Sequence, residues 1–262
     1  MMMPNYVTPT LIKMKKNVQN LSSGKTGHKP VIREIYDCLL DLRGHQGWWP
    51  LTELHETGGI NPTKTGSVKG YHPADYTYPQ TRGQQFEIIC GALLTQNTSW
   101  IQVEKSLLNL KQLNAFSPEV VIALGLETLK EAIKPAGYYN QKAIRLKILA
   151  SWFLELKDRV PTREELLFLK GIGPETADSI LLYAFKRPFF VVDAYTRRIV
   201  TNMGLVDEKA DYDEIKALFE ESIPHDMKVY QEYHALLVEH AKKYYQKKGS
   251  YAKCPLLNIV QD

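Results

Sequence analysis

The chain has 262 residues, of which 44% are hydrophobic and 24% are charged, a balance typical of a globular protein with a sizeable core. Neither an apolar run long enough for a transmembrane helix nor the apolar stretch of a signal peptide occurs in the sequence. The net charge of +4 is compatible with a polyanionic partner without requiring one. Three cysteines without a CxxC pair indicate neither a disulfide framework nor a cysteine-only metal site. We expect a soluble cytoplasmic protein.

The first third of the chain alternates between weakly and strongly patterned segments. Residues 1–30 carry scattered lysines with little periodicity, which predicts a mobile arm. The segment VIREIYDCLLDL shows helical spacing, and Gly44 ends this helix before the apolar GWWP cluster at 47–50. Residues 52–83 are rich in glycine and proline and lack a sustained period. They are predicted to form a long, partly ordered loop.

From residue 84 onward, the apolar residues recur at helical spacing in every segment. The run FFVV at 189–192 has strand-like composition, but it is short and has no partner run. We interpret it as an extended connector, so the predicted fold is all-α. The predicted helices span 84–94, 99–113, 118–124, 127–133, 139–156, 163–169, 175–185, 194–203, 212–222 and 227–247.

Two glycines, Gly171 and Gly173, separate two of these helices and allow the chain to reverse its direction. Ile172 between them can enter the core. The amides around the glycines and in the first turn of the next helix lack helical partners, and a helix N-terminus presents such amides with a positive dipole end to an anion. We expect a hairpin that binds a DNA phosphate without reading the base sequence. Its predicted contact residues are Gly171, Ile172, Gly173, Glu175 and Thr176.

The string LxGIGxxTA at 169–177 is followed roughly twenty residues later by a short apolar run and Asp193. This pattern resembles the endonuclease III superfamily of helix-hairpin-helix DNA glycosylases. Within the superfamily, the chain most resembles the 3-methyladenine DNA glycosylase III type, through GWWP at 47–50, LLTQNT at 93–98, YNQKA at 139–143, KGIG at 170–173 and VVD at 191–193. The resemblance covers residues 84–245 and implies two helical subdomains with a lesion-binding cleft between them.

The resemblance also implies how the chain is divided. The glycosylase domain is expected to span 31–262, with a six-helix part that carries the hairpin at about 86–195 and a terminal part formed by 31–85 and 196–262. Its expected partner is double-stranded DNA containing a damaged base. We expect a monomer located in the nucleoid, with no membrane association.

Asp193 is implied to be the catalytic carboxylate. Breaking an N-glycosidic bond builds oxocarbenium character at C1′, and a fixed anion beside this atom stabilises the charge. The carboxylate could also orient or deprotonate the attacking water. An aspartate directly before Ala194 is equally suited to cap the following helix. The residues alone do not separate the two roles, which are compatible.

Relatives with lyase activity carry a nucleophilic lysine where this chain has Glu175, because a Schiff base requires an amine. Lys170 and Lys186 are near in sequence, but they belong to the hairpin and to the distal end of the helix. We therefore expect a monofunctional enzyme that removes the base without cutting the strand. The iron–sulfur cluster of endonuclease III requires four cysteines near the C-terminus, where this chain has only Cys254. No such cluster and no other metal cofactor is expected; a monovalent cation at the hairpin is the one ion left open.

A glycosylase extrudes its target nucleotide and holds the base between aromatic faces. The resemblance implies that Trp48, Trp49 and Pro50 line the pocket, that Trp100 stacks on the base and that Lys242 lies nearby. Electron-rich indoles would favour a cationic lesion such as 3-methyladenine by about 2 kcal/mol when desolvated. Ordinary core packing is the alternative for the tryptophans. The predicted substrate is an alkylated purine.

Other polar residues near the expected cleft have less defined roles. Gln96 lies in a segment that resembles the family's duplex-wedging loop, although it could equally be a polar residue at a helix C-terminus. Leu236 replaces a lysine of the 3-methyladenine type, which leaves the substrate range open. His234 is expected to be structural. The basic residues of the last helix, of the tail and of the segment after Asp193 either form solvated faces or neutralise phosphates: Arg197, Arg198, Lys242, Lys243, Lys247, Lys248 and Lys253.

Two alternative functions stay open at this stage. One is a glycosylase for uracil, for mismatched thymine or for oxidised purines. The other is a DNA-binding protein that keeps the hairpin for lesion sensing and has no catalytic activity.

Overall fold

The computed structural model describes residues 28–61, 63, 69–246 and 250–260. Most of the arm predicted for residues 1–30 lies outside this part of the chain, as do Lys247 and Lys248. The described residues form helices and no strand, which confirms the all-α prediction. The α-helices are α1 (His28–Arg43), α2 (Arg82–Leu94), α3 (Trp100–Gln112), α4 (Pro118–Ala123), α5 (Leu126–Ile133), α6 (Tyr139–Leu156), α7 (Arg163–Phe168), α8 (Pro174–Ser179), α9 (Ala194–Asn202), α10 (Tyr212–Glu220), α11 (Met227–Tyr244) and α12 (Leu257–Val260).

The helix after the hairpin differs from its prediction. The periodicity predicts one α-helix over 175–185, whereas α8 ends at Ser179 and continues as a π-helical turn, Ile180–Ala184. The turn is closed by a hydrogen bond of 3.2 Å from the amide of Phe185 to the carbonyl of Ile180. All five residues of the turn are buried. A single wide turn disturbs an apolar pattern too little for the sequence to reveal it.

The connector at 189–192 is extended, as predicted, and forms no strand. Side chains of α10 satisfy two of its amides: Phe190 N donates to Glu220 Oε1 at 2.8 Å, and Val192 N donates to the Tyr212 hydroxyl at 3.3 Å. A buried backbone donor needs such a partner when no ladder supplies one. Helix α10 therefore fixes the segment that leads directly to Asp193.

The predicted long loop is partly ordered where the structure describes it. Thr52–His55 forms a 3-10 turn, and Gly59 and Tyr71 form an isolated antiparallel bridge. Gly70 has a φ of +81°, and a Cβ there would lie 2.4 Å from the Leu51 carbonyl oxygen. Only glycine fits this close backbone approach. The loop thus folds back onto the residue that directly follows the GWWP cluster.

The helices pack in two groups. Helices α2 to α8 contact one another, and α1, α9, α10, α11 and α12 form a second set of contacts. The π turn that follows α8 packs against both α2 and α11, so it joins the two groups. Asp193, directly before α9, lies where the chain passes from the first group to the second. The domain boundaries given above stay a prediction.

Arg163 ties three helices together next to the hairpin. Its Nε lies 2.8 Å from Oδ1 of Asp178, which is buried in α8, and its Nη2 lies 2.8 Å from Oδ1 of Asp213 in α10. Replacing Arg163 with methionine leaves the Asp178 charge buried without its partner, so we expect the free energy of unfolding to fall by about 3 kcal/mol. Urea denaturation measures this loss. Arg159→Met, which removes an exposed ion pair with Glu165, is the control, and equal losses in both variants would contradict the prediction.

Candidate active site

Asp193 caps α9 with only one of its carboxylate oxygens. Oδ1 accepts a hydrogen bond of 2.7 Å from Thr196 N, whereas Oδ2 points to His234 and lies 4.0 Å from its Nε2. The Asp193 side chain is 15% exposed. The capping role is therefore real, and it leaves the second oxygen available for chemistry at a site that solvent can still reach.

His234, which was expected to be merely structural, faces this second oxygen from α11. Its Nδ1 lies 2.7 Å from the Tyr183 hydroxyl, and its ring meets the Trp48 ring edge-on with 5.7 Å between centroids. Burial lowers the pKa of His234 more than the nearby Asp193 charge raises it, so the imidazole is neutral near pH 7. Its Nε2 is buried and has no hydrogen-bond partner.

Three of the four tryptophans form one cluster beside these residues: the adjacent Trp48 and Trp49, and Trp100, which is distant in sequence. Ring centroids lie 6.2 Å apart for Trp48 and Trp49, and 5.4 Å apart for Trp49 and Trp100. Trp49 and Pro50 are buried, and a Cβ on Gly91 of α2 would lie 3.0 Å from the Trp49 indole nitrogen. This burial suits core packing. Trp48 and Trp100 are partly exposed, so these two tryptophans are the better placed to contact a base.

The nitrogen atoms of the three indoles share one property. Nε1 of Trp48, of Trp49 and of Trp100 is buried and has no hydrogen-bond partner. Buried donors are normally satisfied in folded proteins. The cluster therefore presents N–H donors as well as apolar faces.

Lys242 lies beside the cluster, on α11. Its Nζ is 5.8 Å from the centroid of the Trp48 ring and 2.6 Å from Oε1 of Glu239, a fully buried residue. The other Glu239 oxygen accepts a 2.6 Å hydrogen bond from Thr63 Oγ1 in the long loop. The positive charge near the Trp48 face is thus balanced by a fixed carboxylate.

Two buried carboxylates that the sequence analysis missed hold the GWWP segment at its ends. Glu232 of α11 accepts hydrogen bonds from Gln46 N and from the Tyr76 hydroxyl, the latter at 2.7 Å. Glu87 of α2 accepts one from Thr52 N at 2.7 Å. In the sequence, both acids look like ordinary solvated helix residues. The structure shows that they are buried and that their hydrogen bonds anchor this segment to α11 and to α2, one helix from each group.

Glu87 makes stability depend on pH. Burial raises its pKa from 4.5 to about 7, against the lowering effect of the Thr52 hydrogen bonds. Between these values the unfolded chain has released a proton that the folded protein still binds. The contribution of Glu87 to the free energy of unfolding, roughly 3 kcal/mol, is present below pH 4.5 and is lost as the pH rises through about 7.

Glu87→Gln should flatten the pH dependence of the free energy of unfolding, measured by urea denaturation. Exposed Glu164→Gln serves as the control, and an unchanged slope in Glu87→Gln would refute this account.

The hairpin reverses as the sequence predicts. Gly171 has a φ of +88°, and a Cβ there would lie 2.2 Å from the Arg145 side chain. Ile172 is buried, and Gly173 is the N-cap of α8. Thr176 is buried in the first turn of this helix. The hairpin geometry is thus established, while the binding of phosphate stays a prediction.

Glu175, also in the first turn of α8, lies close to the catalytic candidate. Burial and the negative charge of Asp193 raise the pKa of Glu175 to about 7, although more than a third of the residue remains exposed. The two carboxyls are therefore neighbours. This is the position at which the family resemblance places the lysine of lyases.

Gln96 does not extend freely towards solvent. Its Nε2 donates to the Gly171 carbonyl and to Thr176 Oγ1, both at 3.0 Å, and its Oε1 accepts from Arg145 Nη1 at 3.2 Å. The side chain thus bridges the α2–α3 loop and the hairpin. A wedging role stays a prediction, and it would require these hydrogen bonds to break.

Lys142 in α6 was also missed. Its buried ammonium donates to the carbonyl oxygens of Leu94, Gln96 and Ala136 at 2.8 to 2.9 Å. All three N–H donors of the group are thereby used. Lys142 therefore fixes the backbone of the α2–α3 loop, from which the Gln96 side chain bridges to the hairpin.

Two arginines that were expected either to form a solvated face or to neutralise phosphates also stabilise the fold. Arg197 and Arg198 donate to the carbonyl oxygens of Ala210 and Tyr245, the latter at 2.6 Å. Each guanidinium therefore uses at least one of its N–H donors on the protein backbone. Neutralisation of phosphates by these arginines stays a prediction.

The residues present do not fit a four-cysteine cluster. Such a cluster requires four thiolates, and these 262 residues include three cysteines. Cys38 and Cys90 lie in α1 and α2, and Cys254 Sγ contacts His240 Nε2 at 3.0 Å. Within the described ranges, no group of three or more metal-binding side chains comes together, and no helix is both long and apolar enough to cross a membrane. A monovalent cation at the hairpin stays a prediction.

Comparison with known proteins places this geometry in a family. Residues 90–225 match the family described as HhH-GPD superfamily base excision DNA repair protein. A Methanocaldococcus jannaschii protein, whose name assigns it provisionally to the DNA repair glycosylases, is 42% identical over 237 residues. The match covers 86% of this chain and 94% of that relative.

Solved structures agree with this match. The H. pylori 3-methyladenine DNA glycosylase MagIII, bound to 1,N6-ethenoadenine, is 29% identical and superimposes with a TM-score of 0.59 over 82% of this chain and 99% of that chain. An endonuclease III–DNA covalent intermediate is 21% identical, with a TM-score of 0.66 over 88% of this chain and 94% of that chain. At this lower identity, the second likeness shows the fold alone.

Proposed function

The chain belongs to the HhH-GPD superfamily of base excision DNA repair proteins, and from this premise we propose that it is a monofunctional DNA glycosylase in which Asp193 is the catalytic carboxylate. The observation that carries the proposal is the divided use of this carboxylate. Oδ1 caps α9, while Oδ2 faces the residues beside the partly exposed Trp48. The cap holds the anion rigidly, and a preorganised anion is what an oxocarbenium transition state requires.

Each part of the site has a step in the reaction. The hairpin holds a phosphate beside the lesion, and the target nucleotide leaves the duplex so that its base enters between Trp48 and Trp100. Asp193 then stabilises the positive charge that develops at C1′ as the N-glycosidic bond breaks. The protein acts as a monomer on DNA in the nucleoid, and size-exclusion chromatography tests the oligomeric state.

The absence of strand cleavage is supported by the surroundings of Asp193, with which no lysine of the described residues forms an ion pair. Glu175 occupies the position implied for a lyase nucleophile. Of the lysines near it in sequence or space, Lys186 donates to the Thr77 carbonyl and Lys242 pairs with Glu239. Neither of these two ammonium groups is therefore free to act as the nucleophile of a Schiff base.

The substrate we propose is an alkylated purine such as 3-methyladenine. Trp48 and Trp100 offer partly exposed indole faces, which attract cationic bases. Because Glu239 balances Lys242, the neighbouring ammonium does not leave a net positive charge against such a base. The likeness to MagIII supports the same class.

One observation favours a second candidate, a base with carbonyl oxygens such as uracil or an oxidised purine. Trp48 and Trp100, the two partly exposed tryptophans, have unpartnered indole N–H groups that are hydrogen-bond donors. A carbonyl oxygen would satisfy them, which a methyl group does not.

An excision screen separates these candidates. Duplexes that carry 3-methyladenine, 1,N6-ethenoadenine, uracil or 8-oxoguanine are incubated with excess protein, and the released base and the cleaved strand are measured before and after alkali. We expect the alkylated or etheno purines to be released fastest, with strand cleavage only after alkali. Faster release of uracil or 8-oxoguanine would replace the substrate class, and release of none would reject the proposed function.

A further inference from the structure

A buried ring nitrogen of His234 faces the proposed catalytic oxygen of the partly exposed Asp193. His234 Nε2 and Asp193 Oδ2 lie 4.0 Å apart, and their side chains are only 6% and 15% exposed. This separation is too long for a direct hydrogen bond. His234 Nε2 has no other partner among the described residues.

Tyr183 contacts the other ring nitrogen of His234. The Tyr183 hydroxyl lies 3.2 Å from the Gln231 carbonyl oxygen and 2.7 Å from His234 Nδ1, and when it donates to this carbonyl, its oxygen accepts from Nδ1–H. Hydrogen bonding at one ring nitrogen decides which nitrogen carries the proton. In this tautomer Nε2 carries the lone pair of the neutral ring, 4.0 Å from Asp193 Oδ2.

From this arrangement we propose that His234 and Asp193 together hold the water that attacks C1′, an inference that rests on the proposed glycosylase function. Two acceptors that lie 4.0 Å apart can both be satisfied by one molecule that donates two hydrogen bonds. An oxygen ~2.8 Å from each atom would have the two acceptors at an angle of ~90°, near the angle between the O–H bonds of water. Both water hydrogens are then bound, and an oxygen lone pair is free to attack.

The reaction balances with these groups for a cationic methylpurine. The N-glycosidic bond breaks and its electron pair leaves with the base, which becomes neutral. The water oxygen forms the new bond to C1′, and one water proton passes to Asp193 and then to solvent. His234 keeps its protonation state throughout and acts by holding the nucleophile.

The test uses His234→Leu and His234→Gln in single-turnover assays on the lesion duplex that the wild-type protein processes fastest. His234→Leu should slow base release about a hundredfold and leave the Kd for the duplex nearly unchanged. His234→Gln should recover part of the rate, because its amide oxygen can accept in place of Nε2. The exposed His225→Leu, whose ring contacts Tyr230 at 3.3 Å, is the matched control with wild-type rates.

A double variant distinguishes water binding from support of the fold. If His234 acts through the same water as Asp193, His234→Leu should cost little in an Asp193→Asn background, because coupled residues are not additive. If His234 only supports the fold, the rate of base release in the double variant should be reduced by the product of the two single-variant factors. Multiplied losses, or a His234→Leu rate equal to that of the wild type, would overturn the inference.

Two further outcomes are distinguishable. If His234→Leu fails to fold in thermal melts, then His234→Gln and Tyr183→Phe decide. The latter removes the hydroxyl that contacts Nδ1 and should slow release relative to the wild-type protein; unchanged release in both variants would reject the inference. Failure of the wild-type protein to release any base rejects the proposed function as well, whereas an active wild type with an inactive Asp193→Asn and an unaffected His234→Leu rejects the water site alone.

Discussion

Replacing Asp193 with asparagine is expected to slow base release about a thousandfold while the affinity for lesion-bearing DNA is retained. Asparagine keeps an oxygen for the cap on Thr196 N, because Asn and Asp are comparable N-caps. The negative charge next to C1′ is lost, however, and a neutral amide can neither stabilise the oxocarbenium ion nor accept a proton from water. Single-turnover base release and equilibrium binding to the same duplex measure the two effects.

A control separates charge from capping. Asp211 is the N-cap of α10, where its side chain accepts from Glu214 N at 2.8 Å, so Asp211→Asn makes the same chemical change away from the site. It should leave the release rate unaltered. Unchanged release in Asp193→Asn would show that this carboxylate is not catalytic. Loss of DNA binding in the same variant would instead favour a structural role at the interface.

Changing Glu175 to lysine should convert the protein into one that forms a covalent adduct with DNA. The new amine would lie beside Asp193, and an amine at this place is what a Schiff base with C1′ requires. Borohydride trapping should yield a protein–DNA complex for Glu175→Lys and none for the wild-type protein. Strand cleavage without alkali should appear together with the complex.

Exposed Glu208 provides the matched control, because Glu208→Lys introduces the same charge away from Asp193. It should give no trapped complex. Trapping of the wild-type protein would refute the monofunctional assignment. Failure of a folded Glu175→Lys variant to trap would show that the amine does not reach C1′.

Local sequence patterns were sufficient for the long α-helices and for the hairpin, but not for the π-helical turn Ile180–Ala184. Apolar residues at helical spacing predict every long helix, since each of these helices buries one face against the core. The pair Gly171 and Gly173 marks the chain reversal, because a φ of +88° at Gly171 strongly favours glycine. The motif around Asp193 was sufficient to identify the family, and the comparisons confirm it. These features depend on near neighbours in the chain.

The partners of each site residue could not be read from local patterns. The burial of Glu232 and Glu87, the pairing of Lys242 with Glu239, and the use of Gln96 as a bridge depend on residues tens of positions away. An isolated acid or amide looks the same in the sequence whether it is solvated or buried. His234 shows this most clearly, because a histidine in a helix acquires its proposed role only when packing brings it to within 4.0 Å of Asp193.

Whether a feature could be predicted from the sequence depends on how far apart in the chain the interacting residues lie. Helix formation, chain reversal and capping involve residues a few positions apart, so composition and spacing encode them directly. The electrostatics of the site depend on burial and on contacts between α9, α11 and the GWWP segment, which exist only once the helices have packed. Asp193 combines both: its cap was foreseeable from the sequence, whereas the orientation of its second oxygen towards His234 was set by the packing of α11 against α9.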